Sequence, residues 1–102
     1  MLRLADRRFG EGRLEGPALA APLPVGYELE VYRDWESRDS TLIPGEWVIE
    51  GHLMAAPAAL DGLAGHGSPF QLHLDDGRRL EVFVLDPHGR IVNVEGTTFI
   101  AP

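Results

Sequence analysis

The side chains able to do chemistry in this sequence are few and scattered. Four histidines, His52, His66, His73 and His88, share the second half of the chain with Asp75, Asp76 and Asp86. Imidazole and carboxylate together could ligate a metal or move a proton. A ligand pair, however, needs a spacing that puts both donors on one face, such as i, i+4 on a helix. No two of these histidines have it. They are expected to be solvated surface residues, with no metal and no cofactor. Gly65-His66-Gly67-Ser68 is glycine-rich but precedes a strand-like run instead of opening a helix, so it reads as a flexible joint, not a phosphate cradle. Ser37, Ser40 and Ser68 stand outside any nucleophile elbow. Cysteine is absent, which removes thiol nucleophiles, thiolate metal sites and disulfides. No catalytic residue is assigned.

The remaining candidates are aromatic. Trp35 lies in the polar stretch DWESRDSTLIPG beside Tyr32 and Arg33. A tryptophan with tyrosine and arginine neighbours is the usual anchor of a protein interface. The same group could stack on a base or a sugar, or fold back to plug one end of the domain. Asp34, Glu36 and Asp39 crowd around it and tell against nucleic acid.

The charge distribution points the same way. All nine basic residues are arginine, and the formal net charge is −7. Residues 1–26 carry +1, residues 27–61 carry −6 and the remainder −2. The middle third would repel a phosphate backbone. Acidic residues interrupt the N-terminal stretch, and Pro22 and Pro24 break the apolar run that follows, so neither a leader nor a membrane span is expected. The default location is the cytoplasm.

The positioning elements follow from hydrophobic period. Residues 1–16 are expected to form an arm or a short hairpin turning at Gly10-Glu11-Gly12. Residues 17–26, PALAAPLPVG, read as an extended connector. Residues 27–102 form the β core of a single domain. Within it, Tyr27, Leu29 and Val31 alternate with Glu28 and Glu30 as a half-buried strand. Residues 34–45 read as a loop closed by Pro44-Gly45. A second strand covers residues 46–54, with Trp47 and Ile49 inward, and one short helical turn sits near residues 57–64.

The C-terminal segment, residues 69–96, is expected to be a three-stranded antiparallel meander. A two-residue turn at Asp76-Gly77 would pair polar with apolar residues throughout. A three-residue loop instead pairs Leu72 with Leu80 and Phe70 with Val82. The same loop around Gly89 would pair Val84 with Val92 and Val82 with Val94. Phe70, Leu72, Leu80, Val82, Val84, Val92 and Val94 then share the core face. The opposite face would carry Leu85 against Ile91, Phe83 against Asn93, and Glu81 against Glu95. That last pair of like charges reads as two carboxylates splayed into water, or else as an acid–base pair.

These elements describe an all-β domain, a small five- to seven-stranded barrel or compact sandwich of the OB-like or SH3-like kind. A helix between the third and fourth strands resembles OB-fold element order, and no motif adds to that resemblance. The function expected is non-enzymatic binding of another protein or self-association, through Tyr32, Arg33, Trp35, Phe83, Leu85 and Ile91. The alternatives are an OB- or SH3-like binder of nucleic acid or a small ligand, using Arg3, Arg7, Arg8 and Arg13, and a small enzyme built on histidine and carboxylate.

Overall fold

Two three-stranded antiparallel meanders make up the protein, described over residues 1–102 by a computed structural model. The first comprises β1 (Leu2–Glu15), β2 (Leu23–Arg38) and β3 (Thr41–Met54); the second comprises β4 (Phe70–His73), β5 (Arg79–Val84) and β6 (Arg90–Asn93). One four-residue helix, α1 (Pro57–Leu60), lies between them. No helix is long and apolar enough to cross a membrane. Two seams join the meanders, β1 with β4 and β3 with β6, and close a six-stranded barrel in the order β1-β2-β3-β6-β5-β4. The fold is therefore all-β and a closed barrel, not a sandwich.

Inward side chains from every strand fill the barrel: Leu14, Tyr27, Leu29, Ile49, Phe70, Leu72, Leu80, Val82 and Ile91 are all but inaccessible to solvent. Leu60 and Leu63, from α1 and the turn after it, are buried with them. Pro57 starts this helical turn without loss, because its missing N–H would have had no helical partner. Each such side chain contributes about 1.5–3 kcal/mol by leaving water.

The first meander is longer than its sequence pattern suggests. Residues 1–16 are no hairpin. β1 runs unbroken through Gly10 and Gly12, pairing with β2 from Leu2 to Leu14. Gly10 lies opposite Tyr27, whose ring occupies the space above it; a Cβ at Gly10 would collide with the Tyr27 hydroxyl. The glycine is there for close approach, not for a bend. Residues 34–45 are no loop either. β2 continues to Arg38, Asp39 and Ser40 turn with φ of 50° and 65°, and β3 returns from Thr41. Positive φ at both central residues is the requirement of a two-residue turn that matches strand twist. The connector is shorter than residues 17–26, since Leu23 to Gly26 already belong to β2.

In the second meander the first hairpin has the expected register, with Phe70 opposite Val82 and Leu72 opposite Leu80 across the loop Asp75-Asp76-Gly77. The second hairpin differs by one residue. Val84 pairs with Ile91, and Val82 with Asn93. Asp86 sets this longer loop: its Oδ1 accepts from the backbone amides of His88 (2.9 Å) and Arg90 (3.2 Å). Gly89, at φ +88°, tucks against the Leu53 carbonyl, where a Cβ would come within 2.5 Å. The shift turns Ile91 and Asn93 into the barrel and leaves Val92 and Val94 half-buried outside. It also removes the Glu81–Glu95 pairing. Phe83 lies opposite Val92, and the Glu81 carbonyl accepts from Val94.

An asparagine enters the core because it completes a seam. The β3–β6 ladder covers only Glu50, Gly51 and His52. Beyond it, Asn93 Oδ1 accepts from the Ile49 amide (3.0 Å), while Nδ2 donates to the carbonyls of Trp47 (3.1 Å) and Thr97 (2.7 Å). All these polar groups would otherwise be buried or half-buried without partners. Asn93→Ala is expected to cost about 2–3 kcal/mol in urea unfolding with an unchanged m-value. A loss below about 0.5 kcal/mol would remove Asn93 as the tie of this seam.

Candidate functional site

Strand lengths decide where surface is left over. β4 reaches only residues Arg13–Glu15 of β1, and β6 reaches only Glu50–His52 of β3. The opposite halves of β1, β2 and β3, roughly residues 2–8, 30–38 and 41–48, remain paired with one another but project past the barrel as a three-stranded ribbon. The molecule accordingly measures 50 × 27 × 19 Å. Five of its eight large exposed apolar residues, Met1, Leu2, Leu4, Leu42 and Ile43, lie on this ribbon.

Both long edges of the ribbon are blunted. β1 carries Arg3, Asp6, Arg7 and Arg8 and is interrupted by a bulge between Leu4 and Asp6. β3 carries Pro44, which has no amide to donate, and a second irregularity follows it opposite Asp34. These are the devices that stop an edge from templating another strand. The faces are the available surface.

On the outer face Leu4, Tyr32 and Val48 form one row across the three strands. The Tyr32 hydroxyl donates to Glu30 Oε2 (2.7 Å), and that hydrogen bond raises the tyrosine pKa above its ordinary value. The inner face begins with Arg3, Arg33 and Trp47 in one row, followed by Trp35 opposite Pro44. The Arg33 guanidinium stacks 4.4 Å above the Trp47 ring and donates Nε to the Gly45 carbonyl (2.9 Å).

Where the inner face meets the barrel mouth, a cleft of about 390 Å³ opens between Asp6, Arg8, Val31 and Trp47 on one side and Arg78, Thr98 and Phe99 on the other. A second stack, Arg78 over Phe99 at 4.5 Å, forms its far wall. Asp76 ties the wall together, accepting from Arg78 Nε (2.8 Å), the Arg78 amide (2.9 Å) and Arg8 Nη1 (3.4 Å). The Arg78 amide foremost, then the two guanidinium groups, hold the Asp76 carboxyl below the usual aspartate range. Nearby, the buried Tyr27 hydroxyl donates to Asp75 Oδ1 (3.0 Å) and accepts from the Asp75 amide (3.3 Å). Burial pushes its pKa up; the adjacent carboxylate adds to this against the opposing pull of the amide.

The structure places Tyr32, Arg33 and Trp35 together on β2, with Tyr32 on the outer face and the other two inside. Trp35 is a half-buried strand residue, not a loop residue. Phe83 and Leu85 stand apart from them, at β5, which β3 and β6 separate from β2. Phe83 is half-buried and Leu85 exposed on the outside of the barrel. Ile91 is corrected from surface to core, at 1% exposure, as a consequence of the longer loop before β6. Sequence reasoning missed Leu4, Ile43, Arg78 and Phe99. Only the two-residue turn at Asp39-Ser40 could have signalled the ribbon, and it lacks the glycine that usually marks one.

The histidines are dispersed. His52 and His88 are exposed, His66 packs edge-on against Phe70, and His73 lies 3.5 Å from Glu15. No three metal-ligating side chains gather anywhere in the chain. Comparison with family models, curated proteins and solved structures finds no match.

The depressed Asp76 pKa sets a pH dependence. A carboxyl that ionises more readily in the folded state stabilises above the unfolded aspartate value, near 3.9, and the contribution disappears as pH falls through the lower folded value. Asp76→Asn should flatten the fall in stability below about pH 4, followed by urea unfolding across an acid series. An identical slope in the variant would contradict the assignment.

Proposed function

We propose that the chain is a non-enzymatic binding module that holds another protein on the projecting ribbon. One observation carries this reading: most of the large exposed apolar side chains are gathered on a sheet extension that the barrel does not need for closure. Exposed apolar surface concentrated in one place and bordered by charge is characteristic of protein interaction sites. Aromatic and arginine side chains in rows beside it, Tyr32, Arg33 and Trp35, are the types that supply interface anchors. The acidic residues of the same ribbon, Glu30, Asp34 and Glu36, weigh against a nucleic-acid backbone as the partner.

Leu4 and Ile43 both point to the outer face, so Leu4→Glu with Ile43→Glu reverses its character without touching the core. Such surface changes should alter stability by about 0.5 kcal/mol or less. The tagged wild-type chain should recover a partner from native extract that the double variant does not. Sedimentation velocity at low and high micromolar concentration then tells whether the partner is a second copy. Equal recovery and equal sedimentation by both chains would overturn the reading.

A further inference from the structure

The inner face of the ribbon collects positive charge in a chain whose net charge is −7. Arg3 and Arg33 lie directly opposite each other across β1 and β2, an arrangement of like charges that costs stability unless an anion sits between or above them. Arg3 pairs with no carboxylate, and Arg33 uses only its Nε, on a backbone carbonyl. At the mouth of the cleft Arg8 and Arg78 share Asp76, and Arg78 Nη2 is buried with no acceptor. Against four guanidinium groups this surface offers two carboxylates, Asp6 and Asp76. Arg33 and Arg78 each lie over an aromatic ring, which restricts their guanidinium groups before any ligand arrives.

We infer that the inner face takes a glutamate or aspartate side chain of the partner on Arg33 and Arg3, which lie beside the cleft at the Trp47 ring, with the cleft residues Trp47 and Phe99 as walls for the apolar residue next to it. The inference rests on the protein-binding reading and gives that partner its chemistry, an acidic segment with interspersed apolar side chains. A planar, singly charged carboxylate fits the guanidinium fork in two-point fashion. A doubly charged phosphate would meet stronger repulsion from Asp6, which lines the adjoining cleft.

The test uses the capped peptide acetyl-Glu-Leu-Glu-Leu-Glu-amide, its counterpart with glutamine for glutamate, and inorganic phosphate. NMR follows the Trp47 indole N–H and the Arg33 and Arg78 Nε–H signals. The acidic peptide should shift all three saturably, and the glutamine peptide should bind about tenfold more weakly or less. Arg33→Gln should weaken the acidic peptide by a similar factor; Arg3→Gln, at an exposed side chain that pairs with no carboxylate, supplies the second variant should the first disturb the fold. Equal binding of both peptides, indifference to both variants, or displacement of the peptide by equimolar phosphate would each overturn the inference. A chain that loses its partner through Leu4→Glu and Ile43→Glu but keeps it through Arg33→Gln retains the binding function without this site.

Discussion

Backbone pairing in this protein is unequal by construction. Three strands of 14, 16 and 14 residues are closed into a barrel by three of only four, six and four. A cylinder can form only where both sets are present. Every other feature follows from that mismatch. The inner residues of β2 from Val25 to Val31 are buried because β4, β5 and β6 stand across from them. Beyond Val31 no strand stands across, and past the cleft walled by Arg78, Thr98 and Phe99 the same sheet becomes a ribbon open on both faces. Its inner row of Arg3, Arg33 and Trp47 lies where the core would have continued. A guanidinium on an indole is a reasonable terminus for a core, since the ring packs inward and the charge faces water.

Short closing strands also make short seams. The β1–β4 and β3–β6 ladders span three residue pairs each, against twelve along each long hairpin. Side chains reinforce both. Asn93 extends the β3–β6 seam to Trp47 and Ile49, and the Tyr27 hydroxyl fastens β2 to the turn at Asp75, beside the β1–β4 seam. Each such bond is worth about 1 kcal/mol net, less than one well-buried leucine, so the core holds the barrel together. The polar ties do something else: they fix which residues meet at each seam, because a slip would strand buried donors and acceptors.

What could be read from sequence tracks this division. Where one face is buried and the other wet, as in Tyr27 to Val31 and Phe70 to Val84, alternation is clear and the strands and the first hairpin's register were legible. Where both faces are wet, DWESRDSTLIPG and LRLADRRF show no alternation, and strands looked like loop and arm. The second hairpin failed for a different reason. Val92 and Val94 are better core residues than Asn93 by hydrophobicity alone, but two buried backbone groups of β3 needed a partner, and that need lies forty-odd residues away in sequence. Tyr32, Arg33 and Trp35, singled out by residue type, lie on the ribbon. Ile91 was misplaced by the same single-residue slip.

The projecting ribbon is thus the claim on which the functional reading stands, and its length can be measured. The chain has no cysteine, so nitroxide labels at Pro24→Cys and Ser37→Cys, both exposed positions of β2, would be unique. An extended β2 sets them about 43 Å apart. Double electron–electron resonance should give a single narrow distribution near that distance. A distribution centred below about 30 Å would mean that the β2–β3 hairpin folds back over the barrel, and no free ribbon would exist.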